Sequence, residues 1–183
     1  MSVTEGVNQL IKPHIPDLYA SAYHWTQNQH EAEDLVQDLI IKSMDNLDTL
    51  EKLDKPALWL KKVLYRMFVD RHRRSQFSTV MPSDEISDLV EEDQLSTDES
   101  VDLHHERQLR QGLIKAMKSL DAPQRVALSL FEIEGYSLQE IADIQKVSLG
   151  TVKSRLHRAK EKLKSNIHLQ PFEDSIRVKD RGL

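Results

Sequence analysis

The chain has 183 residues and a formal net charge of −5, which suits one or two small domains and is short for a large multidomain enzyme. Hydrophobic residues make up 39%, aromatics only 5%, and there are 5 Gly; with few helix breakers and abundant Leu, Ile, Glu, Lys, Gln and Ala, an all-helical fold is expected. The absence of cysteine excludes disulfides, Cys-ligated zinc, iron–sulfur clusters and a thiol nucleophile, and it fits a reducing compartment.

The first helix-period pattern runs from about Asp17 to Gln27, after Pro13 and Pro16, two prolines suited to a helix start. A second runs from His30 to Leu47, with Ala32, Leu35, Val36, Leu39, Ile40 and Leu47 on one stripe and Glu31, Asp34, Asp38 and Lys42 away from it. Asn46 to Pro56 reads as a loop, with Pro56 in the first turn of a third helix that reaches about Arg74. That helix holds Leu60, Val63, Leu64 and Met67 on one side. Its longest apolar run, Ala57 to Leu60, is far too short to cross a membrane. Met1 to Leu10 has neither a basic start nor an apolar stretch, so no secretory signal and a cytoplasmic location are expected.

Charge is segregated along the chain. Lys61 to Arg74 carries six basic residues against Asp70, a net of +5. Ser75 to Glu106 carries ten acids and no Lys or Arg, a net of −10. Ser148 to Lys164 again carries six basic residues against one acid, Glu161, for +5. Two basic stretches around an acidic one imply two polyanion-contacting surfaces. Ser75 to Asp102, rich in Ser, Asp, Glu and Thr without apolar periodicity, reads as a flexible linker.

A second helical block follows. Leu109, Leu113, Met117 and Leu120 share a face, and Pro123 restarts a helix that reaches Phe131. Beyond Gly135, Ser137 to Ile144 and Ser148 to about Asn166 form two further helices separated by a short turn. Ala142 is small where helices would cross, and Ser148 is placed to cap the last helix through the amide of Thr151 or Gly150. Val152, Leu156, Ala159 and Leu163 make one buried stripe, leaving Lys153, Ser154, His157, Arg158 and Lys160 on the other sides. This is the pattern of a helix-turn-helix whose second helix enters the major groove. Arg158 suits a bidentate guanine contact, and Lys153 or Lys160 suits phosphate.

Gly150-Thr-Val-Lys-Ser-Arg-Leu-His-Arg-Ala-Lys-Glu-Lys-Leu163 resembles the promoter-recognition helix of bacterial extracytoplasmic-function (group IV) sigma factors. Leu120-Asp-Ala-Pro-Gln-Arg-Val-Ala-Leu and Gly135-Tyr-Ser-Leu-Gln-Glu-Ile-Ala resemble the remainder of their domain four. Glu33-Asp-Leu-Val-Gln-Asp38 looks like their polymerase-binding helix, and Trp59-Leu60 through Asp70 to Arg73-Arg74 like their DNA-melting helix.

The resemblance covers about Leu18 to Asn166 and implies four parts: domain two in residues 1–74, the linker in 75–102, domain four in 103–170 and a tail in 171–183. It also implies a sigma factor that directs core RNA polymerase, through its β′ clamp and β subunit, to −10 and −35 promoter elements. The −35 contacts fall on Thr151, Lys153, Ser154, Arg155, His157 and Arg158. The −10 contacts fall on Trp59, Lys62, Arg66, Asp70, Arg73 and Arg74, and the polymerase contacts on Asp34, Leu35, Gln37, Asp38 and Ile41. An anti-sigma partner is implied, and no cofactor.

The chain departs from the family at three places. Gln145-Lys146 stands where Leu-Gly is usual, and a left-handed non-Gly residue costs of order 1 kcal/mol. Arg66 stands where an Asn often holds a flipped base, and His157 where an aromatic residue is often found.

Enzymatic readings find little support. His30-Glu-Ala-Glu-Asp34 lacks the second His of a zinc-protease motif, and adjacent His104 and His105 point in different directions on a helix. No nucleophile elbow, P-loop or dinucleotide fingerprint occurs, so neither an enzyme nor a metal site is expected. The alternative is a one-component helix-turn-helix regulator or a response-regulator output protein.

Overall fold

The computed structural model describes residues 3–78 and 112–166. The chain is helical from its first described residue: α1 (Val3–Gly6) runs through a π-helical turn (Val7–Ile11) and a 3-10 turn (Lys12–His14) into α2 (Ile15–Thr26). Pro16 lies in the first turn of α2, where a missing N–H breaks no helical bond. The helix ends at Gln27, which adopts a left-handed conformation (φ 56°) and donates its amide to the Tyr23 carbonyl. Asn28 then caps α3 (Gln29–Met44), its side chain accepting the Glu31 amide at 3.0 Å.

Ala32, Leu35, Val36 and Leu39 are buried on one face of α3, as the periodicity predicts. The stretch expected to be a loop contains a short helix, α4 (Leu47–Glu51). Leu47 and Leu50, one turn apart, are both buried, so tertiary packing stabilises a turn too short to signal itself by period. Leu47 therefore belongs to α4 and not to the stripe of α3.

The third expected helix is α5 (Pro56–Ser78), with Pro56 at its start. It continues past Arg74, so the first four residues assigned to the linker are helical. Residues 79–102 of that linker, and the tail 171–183, lie outside the described residues.

In the C-terminal block, α6 covers residues 112–118. Met117 and Leu120 are buried, but Leu113 is 47% exposed and leaves the expected apolar face; Leu109 lies outside the described residues. α7 (Ala122–Leu128) starts at the expected proline and continues as a π-helical turn, Ser129–Ile133. Next come α8 (Leu138–Gln145) and α9 (Leu149–Asn166). No strand occurs among the described residues.

The two blocks pack on each other. α2 and α3 pack together and against α5, α8 lies on α5, and α2 touches α7 and its π-turn. Trp25 and Leu64 from the first block and Leu130 and Ile144 from the second belong to one continuous buried cluster. Trp25 anchors the first block, meeting Tyr65 edge-on (6.2 Å between centroids, 86°) and Phe68 at 5.8 Å, contacts worth about 0.5–1.5 kcal/mol each beyond their burial.

Candidate nucleic-acid interface

The helix-turn-helix forms by reciprocal caps. Ser137 Oγ accepts the Glu140 amide and Glu140 Oε2 accepts the Ser137 amide, a complete capping box at the start of α8. These hydrogen bonds from Ser137 hold the Glu140 carboxyl below its ordinary value. At the far end Lys146 is left-handed (φ 51°), and its amide and that of Val147 both donate to the Ala142 carbonyl. The turn keeps its geometry with a lysine where glycine would be unstrained. Ser148 Oγ then accepts the Thr151 amide at 3.2 Å, as the sequence predicts.

In α9, Val152, Leu156 and Ala159 are buried and Leu163 packs beside them. Lys153, Ser154, His157 and Arg158 are exposed between the start and the middle of the helix, and Thr151 is half-buried. Arg155 differs. It is half-buried and donates to Gln145 Oε1 at 2.6 Å; burial pushes the Tyr65 hydroxyl of α5 up, and the Arg155 guanidinium works in the opposite direction. Lys160 turns away from the exposed face to pair with Glu132 at 2.7 Å, its ammonium 5.5 Å from the Phe131 ring.

On α5, Trp59, Lys62, Arg66, Asp70 and Arg73 recur at helical spacing and form one stripe, with Arg74 beside it. Arg66, Asp70, Arg73 and Arg74 are exposed; Trp59 and Lys62 are half-buried. On α3, Asp34, Gln37, Asp38 and Ile41 are exposed, and Ile41 is 64% exposed. Leu35 is a correction: at 1% exposure it faces the core and cannot lie on that surface. Asp38 and Asp34 are tied to Arg71 of α5, at 2.9 and 3.7 Å, a link the sequence did not suggest.

Residues 10–77 match the family model for sigma-70 region 2, and residues 110–163 match that for sigma-70 region 4. The chain is 31% identical over 157 residues to the ECF RNA polymerase sigma factor SigE of Mycolicibacterium smegmatis, spanning 86% of this chain and 60% of that protein. It is 30% identical over 151 residues to the ECF RNA polymerase sigma factor SigL of Mycobacterium tuberculosis, covering 82% of each. The chain belongs to the extracytoplasmic-function group of RNA polymerase sigma factors. Its fold also matches the sigma factor RpoE of Bartonella quintana, solved in complex with the anti-sigma factor NepR. That match has a TM-score of 0.68 and 28% identity, and covers 89% of this chain and 97% of that one.

In this sigma factor one member of the first basic stretch does not face outward. The Lys61 side chain is only 3% exposed, at the seam between the blocks, and pairs at 2.7 Å with Glu134 Oε2. Lys61 Nζ also donates to Ser21 Oγ and, at 3.3 Å, to the Asp17 carbonyl. Ser21 Oγ in turn lies 2.8 Å from Glu134 Oε2. The Tyr136 ring sits 5.9 Å from Nζ, and burial, reinforced by Glu134, Glu140 and Asp17, pushes its hydroxyl up to about 12. Sequence reasoning missed Ser21, Glu134 and Gln145. One signal was present: Leu58, Lys61, Tyr65, Phe68 and His72 recur at spacings of 3, 4, 3 and 4, a second stripe marking a helix packed on two sides.

Among the described residues no helix is long and apolar enough to cross a membrane, and no group of His, Asp or Glu is arranged to hold a metal.

Proposed function

We propose that this sigma factor loads core RNA polymerase onto promoters by dividing recognition between its two blocks. The exposed face of α9 from its start to its middle reads the −35 element as duplex through Lys153, Ser154, His157 and Arg158, with Thr151 and Arg155 nearby. The stripe of Trp59, Lys62, Arg66, Asp70, Arg73 and Arg74 on α5 takes the −10 element as a single strand, for which positive charge beside an aromatic ring is suited. Asp34, Gln37, Asp38 and Ile41 on α3 form the surface for core polymerase, reaching its β′ clamp, while the C-terminal block meets the β subunit. The first domain extends through the end of α5 at residue 78, the second covers residues 103–170, the protein is not an enzyme, and it acts in the cytoplasm. Because the matched RpoE was solved bound to an anti-sigma factor, an anti-sigma partner is proposed here too.

The observation that carries this reading is the exposed face of α9 on a complete helix-turn-helix, within a chain that matches both sigma regions in order. A one-component regulator would use α9 equally well but would leave the surface of α3 without a task. The deciding experiment is run-off transcription with core polymerase on a pool of promoter fragments, paired with core co-purification. Ile41→Asp is expected to weaken core association while changing folding stability by no more than about 0.5 kcal/mol, since Ile41 lies on the surface. Equal core affinity for this variant and the wild type would remove α3 from the polymerase interface.

A further inference from the structure

α8 packs on both the melting helix α5 and the recognition helix α9, and packed helices lie on the order of 10 Å apart, so α5 and α9 are separated by no more than about 20 Å. The two promoter elements they read are centred about 25 base pairs apart, which is about 85 Å of B-form DNA at ~3.4 Å per base pair. The closed arrangement therefore cannot hold both elements at once. Residues 79–111 could bridge such a gap, because an extended chain of that length reaches at most about 115 Å.

The seam is fastened by charge as well as by apolar packing. We propose that Ser21, Lys61 and Glu134 form an interdomain latch that holds the sigma factor closed, and that this latch must open before both promoter elements can be engaged. Lys61 (α5) and Ser21 (α2) belong to one block and Glu134 to the other. Two further interactions cross the same seam: the Arg155 guanidinium, held by Gln145 at 2.6 Å, opposes the burial-driven rise of the Tyr65 hydroxyl, and Lys55 pairs with Glu140 at 3.5 Å. The Lys55 ammonium is 72% exposed, so that last pair is worth little.

A buried ion pair roughly recovers the cost of desolvating its two charges, so it sets which surfaces meet more than how tightly they hold. On opening, Lys61 and Glu134 both regain water, and neither is left buried without its counter-charge. That is the energetic profile of a reversible latch. The closed C-terminal block also packs through α8 on α5, the helix that carries Trp59 and Lys62. Opening thus releases α5 from α8 as well as freeing α9.

This proposal rests on the two-element reading above, and its test separates the two. The chain has no cysteine, so Thr49→Cys and Ser165→Cys, at exposed sites in α4 and α9, give one dye on each block. Energy transfer in the full chain should be high for the wild-type background. In Glu134→Gln, which leaves Lys61 without its counter-charge when closed, the open fraction should rise about tenfold or more. The charge exchange K61E/E134K should restore high transfer, which a generally loosened fold would not. Addition of core polymerase and promoter DNA should lower transfer in the wild-type background.

A second arm does not depend on destabilising anything. In Lys55→Cys/Glu140→Cys, a short bis-maleimide should join the two blocks across the seam. The cross-linked protein should lose run-off transcription at least tenfold relative to the same variant without cross-linker. Energy transfer unchanged in Glu134→Gln, or full transcription by the cross-linked protein, overturns the latch and leaves the sigma assignment standing. Failure of the uncross-linked wild type to support transcription would instead overturn the assignment itself.

Discussion

His24 sits in α2 beside the seam, half-buried, with Nδ1 lacking a hydrogen-bond partner. Burial lowers its pKa, Glu134 works in the opposite direction, and Lys61 adds to the lowering. A base whose folded pKa is depressed takes up its proton more readily when exposed, so the folded form loses stability as pH falls below the ordinary histidine value of 6.5. The contribution is intact above 6.5 and fades below it. Denaturation midpoints at pH 7.5 and 5.5 should differ more for the wild type than for His24→Gln; equal pH slopes would show that His24 does not titrate with folding.

Arg158 and Lys164 make a second comparison at this scale. Arg158 is exposed at the middle of α9, one residue past the half that meets base edges and on the same face as Ser154, whereas Lys164 lies near its end and pairs with Glu161 at 3.6 Å. Arg158→Ala should cost about 1–3 kcal/mol on a preferred −35 duplex and flatten discrimination among variants. Lys164→Ala should weaken all duplexes alike and lower the salt slope by at most about 1. Titration of the full chain against matched and scrambled duplexes at several salt concentrations distinguishes them, and equal losses on both would make α9 a non-specific anchor. The roles of single cations were only partly legible in the sequence. Charge at helical spacing identifies a basic helix, but the burial of Lys61 and the capture of Arg155 by Gln145 depend on residues from other elements, which periodicity within one helix does not register.

Elements were more legible than side-chain partners, for a physical reason. Start signals such as Pro16, Pro56, Pro123, Ser137 and Ser148, and the apolar period from His30, act within a turn or two of themselves, so local sequence suffices to place α2, α3, α5, α7, α8 and α9. α4 escapes that logic because its five residues are held by the burial of Leu47 and Leu50 against other helices.

The α8–α9 turn gives a prediction at this scale. Lys146 is left-handed without being glycine, a conformation costing of order 1 kcal/mol for a side-chain-bearing residue. Glycine removes that strain but has more freedom to lose on folding. Lys146→Gly should therefore stabilise the C-terminal block by about 0.5–1 kcal/mol, seen as a higher melting temperature. Ser137→Ala should act oppositely, costing about 1 kcal/mol by removing the cap on α8. A Lys146→Gly variant less stable than the wild type would mean that the lysine makes a compensating contact in the turn.

At the scale of the whole molecule, the helical class and the two-block order were legible because composition and periodicity are distributed properties. The packing of one block on the other was not, because Ser21, Lys61 and Glu134 are separated by 40 and 73 positions in the chain and share no local pattern. The chain between the blocks sets what the molecule can reach once they part. In the closed form residues 79–111 need only join Ser78 to Gly112 within a packed body. In the open form they must let α5 and α9 work about 85 Å apart on DNA. Deleting residues 83–102 would leave a tether of about 13 residues, which extends at most about 45 Å. Closure would survive the deletion unless that shortened tether strains it, so energy transfer between labels at 49 and 165 should stay high. Isolated −35 duplex should still bind α9, but transcription from promoters at natural spacing should fall sharply. Because charge is removed together with length, the control is a deletion replaced by the same number of Gly and Ser residues. That variant should regain activity if reach is what matters. If it remained inactive, the acidic character of the segment, and not its length, would be the property that the two-element complex requires.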